Sequence, residues 1–252
     1  MKSTHRSKEP LVCLVIPVFN ENQSINESVI ALASGSSHYK LLFVEDGSTD
    51  ETLKTLSALK LAYDFELLIH DSNLGYGAAC RSGAAWAISR QYEWIIFADS
   101  DLTNSPDEII DLSKEILSGT SDVYKANRFK TQTDKRLMTR FRNLLSTFAR
   151  HLTRLLIGPK IKDPTNGFRA IRTNLYSQFQ LYSTDFSLIM EEVFEYLRLS
   201  ASISNFEAHL GIRNANQRAS SFRYNPNLLR NYLYWSQRCF LQRLIIFFRN
   251  LK

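Results

Sequence analysis

The chain has 252 residues, 44% of them hydrophobic, with only 9 glycines, 6 prolines and 3 cysteines; this composition fills a proper core and excludes a disordered or disulfide-scaffolded chain. The net charge of +6 divides unevenly, with 9 Lys/Arg against 18 Asp/Glu in residues 1–122 and 22 against 7 in residues 123–252. A field of that sign in the second half favours anions: phosphorylated small molecules, nucleic acid or an anionic membrane face.

The polar, basic start "MKSTHRSKEP" has no apolar stretch behind it, which argues against a secretory signal, and no run approaches the ~18 to 20 apolar residues that span a bilayer. "LVCLVIPVF" at 11–19 reads as a buried strand carrying Cys13, and "NENQSINESVIALASG" as a helix with Asn and Ser at its start. "YKLLFVEDGSTDETLKTLSAL" repeats the pattern: strand, Asp/Gly/Ser turn, then a helix capped from "STDE". "FELLIHD" is a third strand, and "NLGYGAACRSGAAWAISR" a glycine-bearing turn entering an Ala-rich helix. "EWIIFADSD" is a fourth strand, and "SPDEIIDLSKEILS" a helix with Ser105 as N-cap and Pro106 at its first position. Strands alternating with helices predict a doubly wound, mostly parallel sheet with helices on both faces.

After residue 122 the grammar changes. "DVYKANRF" reads as a short strand, and "KTQTDKRLMTRFRNLLSTFARHLTRLLIG" as a basic stretch that becomes helical. "IKDPTNGFRAIRTNLY" is a loop leading to a strand or short helix, "FSLIMEEVFEYLRLS" a helix and "ISNFEAHLGIR" a last strand. The tail from 226 to 252 is apolar, aromatic and basic, with no acid after Glu207. Arg230, Arg238 and Arg249 fall on one arc of a helix there, which suits either a membrane interface or packing on the domain or a second copy.

In sheets of this kind functional groups gather outside the carboxyl ends of the strands. By that rule Asn20 and Glu21, Asp46, His70 to Asn73, and Asp99 to Asp101 converge on one crevice. Asp99 and Asp101 stand two residues apart at a strand end, where two like charges call for a cation; an oxygen-only pair suits Mg²⁺ or Mn²⁺ shared with substrate phosphates. Arg128, Arg136, Arg140 and Arg142 belong to a stretch with eleven Lys/Arg and one Asp between Val123 and Lys162, and arginine is suited to bidentate phosphate binding. The five histidines form no pair at metal-ligand spacing, "GYG" at 75–77 is not a dinucleotide fingerprint, and no nucleic-acid-binding signature is present.

Taken in order, "VIPVFNE", "FVEDGSTDET", "NLGYGAACRSG", "FADSDL" and "DPTNGFRAIR" resemble the family 2 glycosyltransferases of GT-A fold, and more narrowly the polyprenyl- and dolichyl-phosphate mannosyl- and glucosyltransferases. The resemblance runs from about Leu11 to Arg223. It implies one GT-A domain over 1–225, with a nucleotide-binding half at 1–122 and an acceptor-binding half at 123–225, followed by the basic amphipathic tail. It implies an inverting transfer of a hexose from a GDP-mannose or UDP-glucose type donor to a polyprenyl phosphate, with a divalent metal on Asp99 and Asp101. Pro17, Val18, Phe19, Glu21, Asp46, Ser48, Asn73, Arg81, Asp99, Ser100 and Arg213 would meet the nucleotide sugar, and Arg128, Arg142 and Ser146 the acceptor phosphate. Asp101, Arg128, Arg142 and Asp163 would form the catalytic set, with Glu191 in support.

Two departures stand out. Thr103 occupies a position that is often Gln in the mannosyl type. The segment that closes over the diphosphate is represented by "RNANQRASSFR", without its Gly and Lys, so Arg213, Arg218 and Arg223 are its candidate charges. The expected location is the cytoplasmic side of a membrane, held peripherally through the tail and open to a membrane-protein partner. The alternatives are a saccharide or protein hydroxyl as acceptor, with Asp163 as base, and a non-catalytic sugar-nucleotide-binding protein.

Overall fold

The computed structural model describes residues 11–127, 156–158, 160–208 and 226–249. Seven strands form one sheet: β1 Val12–Val18, β2 Lys40–Glu45, β3 Glu66–Ile69, β4 Trp94–Phe97, β5 Val123–Asn127, β6 Arg169–Arg172 and β7 Ile203–Glu207, in the order β3-β2-β1-β4-β6-β5-β7. Only β6 among these runs antiparallel to its neighbours, pairing Trp94 with Arg172 on one side and Val123 with Ile171 on the other. β1 lies between β2 and β4, covered on both faces, which is why "VCLVIPV" is an unbroken apolar run.

Successive side chains of a strand point to opposite faces, so β1 feeds two cores. Val12, Leu14, Ile16 and Val18 pack on one side with α1 (Ile25–Ala33), α2 (Thr52–Leu59) and α4 (Pro106–Ser118). Cys13 and Val15 pack on the other with α3 (Tyr76–Ser89), α5 (Thr173–Tyr176) and α6 (Leu188–Arg198). The doubly wound α/β sheet expected from the sequence is therefore the sheet observed, and "RAIRTNLY" resolves into a strand followed by a single helical turn.

Local signals acted as expected in α4 and differently in α2. Ser105 accepts from Glu108 N while Glu108 accepts from Ser105 N, closing a capping box with Pro106 behind it. At α2 the N-cap residue is Glu51, which makes no side-chain cap; Asp50 Oδ1 takes Thr52 N at 2.9 Å instead. The tail is a helix, α7 (Pro226–Arg249). Its first half packs on α6, with Trp235 5.6 Å from Phe194, the Arg238 guanidinium 5.1 Å over the same ring, and Cys239 fully buried. Its second half exposes Leu241, Leu244, Ile245, Phe247 and Phe248. Among the described residues no helix is long and apolar enough to cross a membrane.

Candidate functional site at the carboxyl edge of the sheet

The turns that leave β1 and β2 are bound into one another. Asn20, in the left-handed region at φ 55, donates its N–H to Ser48 Oγ (2.9 Å), and its side-chain oxygen accepts Thr49 N (2.8 Å). Glu21 N reaches Thr52 Oγ1 at 2.9 Å, and a cavity of about 340 Å³ opens beside Asn20, Glu21, Asn22, Gln23 and Asp50. Pro17 and Phe19 are partly exposed at this edge, while Val18 is buried. Ser48 N in turn donates to Glu45 Oε1 at 2.7 Å, leaving Glu45 Oε2 buried and without a partner.

Asp46 is the hub of the next turn. Its carboxylate meets His70 Nδ1 at 2.7 Å and accepts Leu74 N (3.0 Å) and Gly75 N (2.8 Å), while His70 Nε2 faces Ser82 Oγ at 2.9 Å. These partners bring the loop after β3 across the mouth of β2. Gly47 permits this crossing: at φ +66 an added Cβ would lie 2.3 Å from Ser72 C. Asn73 is exposed on the same loop. Arg81, one turn further along α3, directs its guanidinium to Ser183 O.

At the end of β4, Asp99 is exposed and Asp101 half-buried, with Asp101 Oδ1 accepting Thr103 N at 3.0 Å. Thr103 thus contributes through its backbone, a contact that Gln would make equally well. Ser100 is buried, and its carbonyl accepts the Ser28 hydroxyl. Two oxygen-donor side chains at a solvent-facing edge fit a hard divalent cation. Among the described residues no group of three or more His, Cys, Asp or Glu is arranged around a metal position.

Behind Asp99 lies a buried ion pair that the sequence did not advertise. Arg169 and Glu192 are both 0% exposed and doubly bonded, through Nε to Oε2 and through a guanidinium N–H to Oε1 at 2.6 Å. Arg169 also donates to Gly167 O at 2.7 Å and to the Tyr76 hydroxyl at 3.3 Å, and lies 4.2 Å over the Phe97 ring. Burial works against its charge, but the Glu192 carboxylate outweighs that cost and holds its pKa well above the usual value. The Tyr76 hydroxyl's pKa is pushed well up, by burial first and then by its neighbours Cys80 and Asp99, against the pull of Arg169. A Cβ on Gly167 would lie 3.4 Å from that hydroxyl and 3.7 Å from Asp99 Oδ1. The "DPTNGFR" loop therefore backs directly onto the end of β4. Arginine inside the apolar run "FRAIR" was the available signal.

Within that loop Asp163 is 1% exposed and accepts the Thr165 hydroxyl at 3.1 Å, and Lys125 Nζ, also buried, donates to Asn166 O at 2.6 Å. Glu191 is buried and accepts Tyr182 N (2.9 Å) and Ser183 N (2.8 Å), anchoring the segment before α6. Glu21, Asp46, Ser48 and Asn73 thus stand on turns that touch one another, and Asp99 and Asp101 on the turn that ends β4 at the same edge of the sheet. Arg128, Arg142, Ser146, Arg213, Arg218 and Arg223 lie outside the described residues.

Residues 13–179 match glycosyl transferase family 2. A polyprenol monophosphomannose synthase of Mycolicibacterium smegmatis is 28% identical over 174 residues, covering 68% of this chain and 65% of that protein. A dolichol-phosphate mannosyltransferase of Pyrococcus furiosus is 28% identical over 185 residues, 71% of this chain and 51% of that protein. The chain thus spans less than two thirds of the length of either relative. Among solved structures, the glucosyl-3-phosphoglycerate synthase of Mycobacterium tuberculosis in complex with Mn²⁺, UDP and phosphoglyceric acid superposes with a TM-score of 0.64 at 20% identity. That likeness covers 90% of this chain and 78% of the other, and is one of fold.

Proposed function

Because the chain belongs to glycosyl transferase family 2, we propose that it moves a hexose from a nucleoside-diphosphate sugar to a polyprenyl phosphate with inversion at the anomeric carbon. The observation that carries this reading is the pair Asp99 and Asp101 at the end of β4, at the same sheet edge as Asp46 and against the "DPTNGF" loop. Relatives named for polyprenol and dolichol phosphate support the acceptor class.

In this reading Asp46 and the turns around Asn20 and Ser48 receive the nucleoside, and Asp99 and Asp101 face the diphosphate. A divalent cation held by those two carboxylates would neutralise charge developing on the leaving group. A phosphate monoester is largely dianionic near neutral pH, its second pKa being about 6, so the attacking oxygen needs no general base. The demand on the protein is to hold two polyanions together. Arg128, Arg142 and Ser146 serve the acceptor phosphate, and Arg213 the diphosphate. The burial of Asp163 and its bond to Thr165 favour an acceptor that needs no base over a hydroxyl acceptor.

The second half of α7 is the surface this reading places at the membrane. Leu241, Leu244, Ile245 and Phe248 form an exposed apolar surface with Arg249 at its end, and no acid follows Glu207. Arg249 then lies toward lipid phosphates, with the exposed apolar side chains toward the acyl boundary.

The test is a panel of GDP- and UDP-sugars with Mg²⁺ or Mn²⁺, with and without polyprenyl phosphate, read as label entering an organic phase. Transfer that requires the lipid is expected. Sugar transfer to a soluble hydroxyl acceptor in its place, or no release of nucleoside diphosphate from any donor, would refute the reading.

A further inference from the structure

The segment 183–186, between α5 and α6, has no regular structure of its own, so its path is set by what binds it. Glu191 holds its start, as described. The first half of α7 supplies three more ties: Trp235 Nε1 donates to Ser183 Oγ at 3.3 Å, Tyr232 OH to Phe186 O at 3.2 Å, and Asn231 Nδ2 to Asp185 Oδ2 at 3.2 Å. On its other side the segment grips the entry of α3. Gly77 N donates to Thr184 O at 2.7 Å, Arg81 to Ser183 O, and the Tyr76 and Phe186 rings stack 4.4 Å apart. The fit leaves no slack, because a Cβ on Gly75, at φ +93, would lie 2.4 Å from Thr184 O. Gly75 N and Leu74 N are two of the three donors that meet Asp46.

We propose that the first half of α7 is part of the donor site's framework. Tyr232 and Trp235, with Asn231, are positioning residues that seat segment 183–186 against Gly75–Gly77 and so set the backbone N–H groups on Asp46. This deepens, and rests on, the reading of the Asp46 edge as the nucleotide pocket. The helix then has two jobs along its length: its first half shapes the donor pocket, while its second half presents an apolar surface. The route from α7 to Asp46 passes through one segment and one turn, each in direct contact with the next.

The experiment measures UDP and GDP binding to the full chain in Mn²⁺ by calorimetry. Tyr232→Phe combined with Trp235→Phe keeps an aromatic ring at each position and removes both donors. A neutral hydrogen bond contributes about a fivefold factor in an equilibrium constant and two are removed, so the Kd of whichever nucleotide the wild type binds should rise by about fivefold to twenty-five-fold. The KM for polyprenyl phosphate should stay unchanged, and the melting temperature within about 4 °C. Asn231→Asp, which sets a like charge against Asp185, should weaken the nucleotide similarly. Gln237→Ala, exposed on the same helix, should leave it unaltered. An unaltered Kd in the double variant, or a Kd that rises as much in Gln237→Ala, would overturn the inference. A wild-type chain that binds neither nucleotide would instead overturn the donor-site reading beneath it.

Discussion

Arg169→Met removes a buried cation and leaves its carboxylate partner behind. Arg169 and Glu192 are both completely buried, and the Tyr196 hydroxyl at 3.4 Å is the one partner described for Glu192 other than Arg169. The substitution also strips Gly167 O of its donor and removes the cation 4.2 Å over Phe97. Breaking a buried pair from one side costs about 3–5 kcal/mol, because the remaining charge is neither solvated nor paired. For a chain of this size each kcal/mol moves the midpoint by about 2–4 °C, so a fall of roughly 6–20 °C is expected. Replacing both partners, Arg169→Met with Glu192→Leu, should recover most of that loss, since a well-packed apolar pair of similar volume is close to neutral. Scanning calorimetry of wild type, both single variants and the double variant completes the cycle. A single variant melting within about 2 °C of wild type, or a double variant as unstable as the two losses added, would refute the account of the pair as a coupled unit.

Other expectations are independent of that pair. Asp101→Asn keeps an oxygen for Thr103 N, so the protein should fold normally while transfer in Mg²⁺ or Mn²⁺ falls by about a thousandfold or more; turnover near wild type would remove Asp101 from the metal assignment. Cys13, Cys80 and Cys239 are all buried, and burial pushes the Cys80 and Cys239 thiols up to about 12. A raised thiol pKa lowers the thiolate fraction at pH 8, to about one part in ten thousand at that value. Ellman's reagent at pH 8 should therefore find almost no reactive thiol in the native chain and 3 after denaturation; rapid native reaction would show that one of these sites opens readily.

The strands β1, β2 and β4 were legible because a strand covered on both faces must be continuously apolar, and "LVCLVIPVF", "KLLFVE" and "WIIF" have no other simple use. The start of α4 was legible because a capping box is local, with Ser105 and Glu108 three residues apart. The cap of α2 was legible only as the tetrapeptide "STDE", where several polar residues compete and backbone geometry selects Asp50. The Asp99 and Asp101 pair could be read because it combines a strand end with adjacent like charges. The partners of Asp46 could not, since they lie 24 to 29 residues away on a loop that only the fold brings back.

Sequence alone determined the alternation of strand and helix, the parallel class of the sheet, and the strand ends at which Asn20, Asp46, Asp99 and Asp101 stand. These follow from short-range rules: side-chain periodicity, turn chemistry and charge. Tertiary structure alone decided that β6 inserts antiparallel between β4 and β5, that Arg169 and Glu192 stand buried behind Asp99, and that the first half of α7 ties into the turn beside Asp46. A charged residue reads as exposed until its partner is known, and here that partner lies 23 residues along the chain. Side chains so far apart in sequence meet only after the sheet and its two helical layers have closed, so no local pattern records their contact.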